Sequence, residues 1–410
     1  MRTRFTLIAL LFTAAALALA GQASAQSLRL APSLIIAAGY DDNVFWAPNG
    51  ESDVVLRVTP GLSFERKGPR AKLVGTYNFD AEHYRNFSTM TNAFVRQSAS
   101  GTGQFLKSTA TTFILGGGYD TTTRPAELNV DTGLGAGILS GHRWYGHTEL
   151  KHSYGPKTTV DVGYDFGSDV LSLGEQVQTH GLTFLATRQA NQRDELRLKF
   201  EGQRFLFNGS EAFDGPDEIM SGVAMVGWTS HLTPLTSLTF SAGPRVSNGN
   251  VRPEIEAIIS RLSGPNEFSL SYARTQATAL GLRGLIDVDR VLGTNTYRLP
   301  GRIDTTLQGG VYRNQSRGAT VNVYRAMADV TKYLATGVGI SISYSSDMQH
   351  GLLGTELLPG LAPPLINLRP DLAPVPTMGW VRRNLILFRV LIVPELGRST
   401  KPPEREGGQQ

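Results

Sequence analysis

The sequence predicts an all-β chain: a transmembrane antiparallel β-barrel of about eighteen strands, with sixteen as the alternative. Three observations lead there. Apolar and polar residues alternate with period two along most of the 410 residues. The alternating stretches reach about ten to fourteen residues, which suits a tilted bilayer crossing better than a usual globular strand. Aromatic residues gather toward the strand ends, as interfacial girdles do: Tyr40, Phe45 and Trp46; Tyr84 and Phe87; Trp144 and Tyr145; Phe205 and Phe207; Trp380.

The chain opens on an export signal. Arg2 and Arg4 form a positive n-region, Phe5 to Ala20 is apolar apart from Thr6 and Thr13, and Ala23-Ser24-Ala25 offers a peptidase its small residues. Residues 1–25 are thus a signal peptide, 26–393 the barrel and 394–410 a polar, disordered periplasmic tail. A spanning helix is the rival for the first segment, but it lacks a stop-transfer flank and is followed by a cleavage site.

In Asp53 to Arg66, Val54, Leu56, Val58, Leu62 and Phe64 share one face, against Arg57, Thr59, Ser63 and Glu65. Arg70 to Tyr84 repeats the pattern, as do Val160 to Phe166, Asp194 to Phe207, Phe268 to Tyr272 and Val338 to Tyr344. Successive strand side chains point to opposite faces, so each stretch has one apolar and one polar wall. In a membrane the apolar wall meets lipid and the polar wall meets water. Short turns read at Lys67-Gly68-Pro69, Lys107-Ser108, Asn191-Gln192-Arg193, Thr233-Pro234-Leu235, Gly264-Pro265-Asn266 and Ala335-Thr336. They alternate with longer outer connections at Asp41–Ser52, Arg85–Thr91, Thr121–Gly137, Asp169–Gln176, Asn208–Ile219, Ala279–Leu285 and Met348–Thr377. The alternation holds only if Thr132 to Ser153 contains one strand, which makes the count even. Arg283 to Tyr297 and Val251 to Ser263 are weakly patterned, hence the alternative of sixteen. Gly351 to Pro376 is Leu- and Pro-rich without alternation, and reads as a last outer loop long enough to enter the mouth.

Bulk properties narrow the function. Removing Arg2 and Arg4 lowers a formal charge of only +4 by two, so nucleic acid is not an expected partner. There are no cysteines, which leaves an exported chain to a hydrogen-bonded sheet and lipid for its stability. Asp41-Asp42-Asn43 clusters oxygens suited to Ca²⁺, but a tight turn wants the same residues. His142, His147 and His152 alternate faces and cannot share one ion, so no metal and no cofactor is expected. Catalysis would need His83, His152 or His180 beside Ser or Asp on neighbouring strands. No P-loop or dinucleotide fingerprint is present, and no enzyme is expected. The stronger lead is the polar wall. Arg57, Glu65, Lys72, Asp80, Glu82, Asp161, Asp165, Glu195, Arg197, Lys199 and Glu201 would line an aqueous lumen. Their mixed signs favour weakly charged polar solutes, and the rival arrangement pairs them across a closed interior.

Gly39-Tyr40-Asp41-Asp42-Asn43-Val44-Phe45 resembles the opening of the outer-membrane β-barrel porins encoded beside exopolysaccharide genes, and Arg382-Arg383-Asn384-Leu385-Ile386-Leu387-Phe388 resembles their final strand. The resemblance implies an outer-membrane barrel of a Gram-negative bacterium that serves passage or secretion of a surface polysaccharide. Many outer-membrane barrels end on an aromatic residue, whereas this chain continues past Phe388, so assembly would have to recognise an internal strand. The expected function is therefore a passive channel or export conduit, with outer-membrane lipid and a polysaccharide or small polar solute as partners. A plugged barrel that docks a periplasmic export partner through residues 394–410 is the second expectation, and an outer-membrane hydrolase the third. A large active transporter is disfavoured because no plug domain precedes the first strand.

Overall fold

The computed structural model describes residues 27–124, 127–135, 139–172, 174–209, 216–279, 284–316, 319–351 and 380–393. Nine strands fill the first half: β1 (Ser27–Asp41), β2 (Asp53–Lys67), β3 (Ala71–Tyr84), β4 (Asn92–Leu106), β5 (Thr111–Thr122), β6 (Gly141–Ser153), β7 (Thr158–Leu171), β8 (Gln176–Gln189) and β9 (Asp194–Asn208). Nine more follow: β10 (Glu218–Thr233), β11 (Thr236–Ser247), β12 (Asn250–Ser263), β13 (Asn266–Ala277), β14 (Ile286–Leu299), β15 (Ile303–Ser316), β16 (Ala319–Ala335), β17 (Val338–His350) and β18 (Trp380–Ile392). Every pairing is antiparallel between sequence neighbours, and β1 also pairs with β18, closing an 18-stranded barrel. Closure satisfies every wall strand on both sides, which a backbone surrounded by hydrocarbon requires.

Alternation decides which wall each residue joins. On β9, Leu196, Leu198 and Phe200 stand opposite Trp228, Val226 and Ala224 of β10, and the large apolar members of this row are exposed. The intervening Glu195, Arg197, Lys199 and Glu201 share the other face. Elsewhere the same inner face carries charged rows: Arg57 faces Glu82, Asp80 faces Arg96, and Asp120 faces Arg143, which faces Asp169. An outward apolar band around a polar interior is the architecture of an outer-membrane barrel.

Connections sort by end. One end has turns of two to four residues, between β2 and β3, β10 and β11, or β16 and β17. The other carries segments 42–52, 85–91, 123–140, 209–217 and 278–285. Two links at this end are shorter than the longer connections read from sequence. The β7–β8 link spans only 172–175, because both strands extend into it. The β11–β12 link is Asn248-Gly249, at φ 46° and 79°, which matches the twist of a two-residue hairpin. Both weakly patterned stretches are strands, β12 and β14, so the number is eighteen and not sixteen. Residues 1–26 and 394–410, where the signal peptide and the tail were expected, lie outside the described residues, as does 352–379 of the last long connection.

Candidate functional site: the lumen and its crossing loop

The two sequence motifs 340 residues apart meet at the seam. Asp41, fully buried at the end of β1, accepts from Arg383 Nε at 3.0 Å and Nη2 at 2.6 Å. Asp42 accepts from the Asn384 amide at 2.5 Å, and Asn43 Nδ2 donates to the Arg382 carbonyl at 2.8 Å. The Asp41 and Asp42 oxygens that suggested Ca²⁺ therefore fasten β1 to β18, and the Asn43 oxygen accepts from the Ala47 amide of its own loop at 2.9 Å. No group of three or more His, Asp or Glu among the described residues is arranged to hold a metal.

From this clasp a belt of alternating charges runs along the inner wall. Arg325 on β16 lies 3.3 Å from Asp347 on β17, and Asp347 stands opposite Arg383. Beyond Asp41, Arg124 approaches that carboxylate at 3.8 Å and donates to the Tyr84 hydroxyl. Tyr84 donates to Glu82 at 2.7 Å, and Glu82 also accepts from Arg57 Nε at 2.7 Å. Asp80 accepts from Thr59 at 2.6 Å and lies 3.4 Å from Arg96. Arg96 donates to Glu127 at 2.9 Å, and Thr122 donates to the same carboxylate at 2.6 Å. Charges this far from bulk water persist only when paired and hydrogen-bonded, and the alternation achieves both. Burial opposes ionisation of Glu127, but the Arg96 charge and the Thr122 hydroxyl outweigh it and hold its carboxyl below the usual range.

Arg124 and Glu127 belong to segment 123–140, and this segment crosses the barrel. Its first part is held by β3, β4 and β5 through the contacts above, with Leu128 packed on Leu171. Its second part sits on β14 to β17, between four and nine strands away around the eighteen-strand ring. There Asp131 accepts from Arg290 at 2.6 Å, and the Thr132 carbonyl accepts from Asn314 Nδ2 at 2.8 Å. Leu134 is buried among Ala277, Ile286, Val288, Tyr312, Val321 and Val323, and the Gly135 amide donates to Gln349 at 2.9 Å. Close approach explains two glycines. Gly133 is left-handed (φ 65°) with the Tyr312 ring 2.9 Å from where a Cβ would lie, and at Gly135 a Cβ would fall 2.2 Å from the Trp46 ring. The segment expected to enter the mouth was Gly351 to Pro376; among the described residues it is 123–140 that does so.

The eleven charges named from sequence occupy three parts of the inner face. Arg57, Asp80 and Glu82 lie in the belt. Glu65 sits near the short-turn end, 2.9 Å from Lys67 and 3.8 Å from Lys72. Asp165 is 2.6 Å from His147, Asp161 is 3.9 Å from Lys151, and Lys199 is 2.6 Å from Glu201. Glu195 and Arg197 continue the β9 row between β8 and β10. Pairing among these residues is lateral, along one strand or between neighbouring strands, rather than across the lumen. Sequence reasoning missed Arg96, Arg124, Glu127 and the buried Arg245–Glu254 pair at 2.7 Å. The available signal was the length of 123–140 and its mixture of charge, glycine and three leucines.

The histidines named as catalytic candidates stand elsewhere. His152 meets the Thr111 hydroxyl at 2.9 Å, His180 meets that of Tyr164 at 2.8 Å, and His83 lies 3.4 Å from that of Thr91. All three lie on the outward wall by strand register.

No family model and no curated protein sequence matches this chain. Solved barrels are similar in fold. The siderophore receptor PirA from Pseudomonas aeruginosa is 9% identical with a TM-score of 0.44, over 88% of this chain and 80% of that one. The anion-selective porin from Comamonas acidovorans is 10% identical with a TM-score of 0.39, over 90% of this chain and 99% of the porin. The FrpB iron transporter from Neisseria meningitidis is 10% identical with a TM-score of 0.43, and this chain spans only 64% of its length.

Proposed function

We propose that this barrel is a passive outer-membrane channel or export conduit for polar, weakly charged solutes of saccharide type, delivered after removal of residues 1–25. The observation that carries this reading is the crossing loop. A lumen narrowed by the chain's own segment 123–140, fastened on both sides, suits passage limited by size. The laterally paired wall charges suit it too, because paired neighbours present dipoles more than net charge. In this reading Arg57, Glu65, Lys72, Asp80, Glu82, Asp161, Asp165, Glu195, Arg197, Lys199 and Glu201 are lining residues and not catalysts. The polysaccharide assignment leans on the resemblance of the two seam motifs. Single-channel conductance of the mature protein in a planar bilayer tests it. Stable steps that oligosaccharides block are expected, with weak selectivity between small anions and cations; strong ion selectivity, or steps indifferent to sugars, would overturn the saccharide reading.

A second reading, a closed barrel that docks a periplasmic export partner, has one observation in its favour. Val177, Phe205, Phe207 and Ile219 form an apolar patch on the inner wall, covered by Leu285 from segment 278–285. A folded barrel that never conducts would favour it, as would loss of secretion on removing residues 394–410.

A further inference from the structure

Charge at the short-turn end is sorted by the face it stands on. The eight turns there hold five charged residues, all basic and all exposed: Arg70, Lys107, Lys157, Arg193 and Arg302. On the strand ends beside them, register turns Arg188, Arg261 and Lys332 outward, opposite Leu196, Phe268 and Ile303. The single outward carboxylate among the described residues at this level is Asp194. It already accepts from Asn191 at 2.7 Å and from Trp228 Nε1 at 3.1 Å. The other acids of this end share the inner face: Glu65 beside Lys67, Asp161 beside Lys151, and Asp304, which accepts from Tyr333 at 2.6 Å. Glu195 and Glu267 join that face by register. The long-connection end is different. Its described connections, the crossing segment aside, hold Asp42, Glu51, Glu175 and Asp217 against Arg85. Tight turns favour Asp, so turn geometry does not explain why these eight carry none.

The basic positions also surround the barrel. They fall at β2–β3, β4–β5, β6–β7, β8–β9, β12, β14–β15 and β16, with no gap around the ring wider than four strands. A docked protein covers one side of a barrel, whereas a bilayer covers all of them. Exposed aromatics fix the level. Trp228 and Tyr297 stand on the outer wall at this end, and the Tyr154 ring lies 4.4 Å from that of outward His152. Aromatic side chains with a polar tip settle at the membrane–water interface, which puts the basic positions beside them among headgroups. We propose that the short-turn rim is a collar that binds the phosphates of anionic glycerophospholipids in the leaflet on that side. Guanidinium and ammonium groups pair with phosphate while their stems lie along the apolar wall. A zwitterionic headgroup brings its own cation against the collar and is held less well. The short-turn end of an outer-membrane barrel is the periplasmic one, where the leaflet consists of such lipids. The inference requires the barrel to lie in a membrane but not to conduct, so a silent channel leaves it standing.

The test inserts the mature protein into vesicles of equal phosphatidylglycerol and phosphatidylcholine, extracts it in non-ionic detergent and counts the retained lipids by mass spectrometry. Phosphatidylglycerol is expected to be retained about tenfold over phosphatidylcholine, and less so at high salt. Arg188→Gln with Arg261→Gln and Lys332→Gln is expected to cut that enrichment about threefold while the barrel stays heat-modifiable. Should the triple variant not fold, Arg188→Gln with Arg261→Gln, confined to exposed side chains, is expected to cut it about twofold. The control removes the same charge from the outer wall at the other end: Arg204→Gln, Arg274→Gln and Arg313→Gln together should leave the enrichment unchanged. Equal retention of the two lipids by the parent protein would overturn the proposal and leave the rim to an acidic periplasmic protein. So would an unaltered enrichment in the triple variant, or an equal fall in the control, which would make net charge and not the collar responsible.

Discussion

Asp41 concentrates the demands of this fold in one side chain. It is fully buried, ends the first strand, and holds Arg383 of the last strand and Arg124 of the crossing loop. Replacing it by Ala removes the buried carboxylate that Arg383 and Arg124 share. A loss of about 3–5 kcal/mol is expected, read as a lower urea midpoint for refolding into the heat-modifiable form. Glu127 makes a prediction about pH. Its carboxyl is held below the usual range, so the ionised form is favoured when the loop is seated. Its contribution is therefore complete above the ordinary carboxylate pKa, about 4.3, and is lost as pH falls through the lowered value. Open-channel noise should stay low at pH 5 and rise only on acidification below the ordinary range. Glu127→Gln should show the acid-type noise already at pH 7, and identical noise in both proteins at all pH values would refute the role.

Segment 123–140 is the element that distinguishes this barrel from an open tube. Its far part depends on Leu134, which is buried on β14 to β16. Leu134→Asp would place a charge among Ile286, Val288 and Val323 and should unseat the loop. The expected result is a larger unit conductance with barrel stability little changed, since every wall strand keeps both neighbours; unchanged conductance would mean the loop does not limit passage. Turns make a smaller claim. Gly249 sits at φ 79° in a two-residue hairpin, so Gly249→Ala should cost about 1 kcal/mol in unfolding free energy.

At the scale of the whole molecule, the ring is closed by one seam, from Leu34 opposite Ile392 to Asp41 opposite Leu385. The chain has no cysteine of its own, so Ala38→Cys with Phe388→Cys offers a clean pair at adjacent paired positions. Oxidation should cross-link the two ends and leave conductance unaltered; failure to cross-link would contradict the closure. Strand identity, spacing and the division into lipid-facing and inner walls were legible in the residues. The stretch Asp53 to Arg66 was bounded from sequence to within one residue of β2, and Asp194 to Phe207 to within one residue of β9. Period two is a local property, dictated by the geometry of one strand between apolar and polar surroundings.

What no local pattern contains is which distant residues meet. Asp41-Asp42-Asn43 read equally as a turn or an ion site, and only the closing of the ring, which brings Arg383 and Asn384 against it, settled its use. Segment 123–140 read as a long outer connection, and its crossing became visible only once β14 to β17 stood opposite it. The sequence by itself determined the strands, their faces and an even-numbered barrel, because those follow from alternation along each strand. The tertiary structure decided the seam, the belt of paired charges and the loop across the lumen, because these depend on contacts between residues far apart in the chain that exist only after the barrel closes.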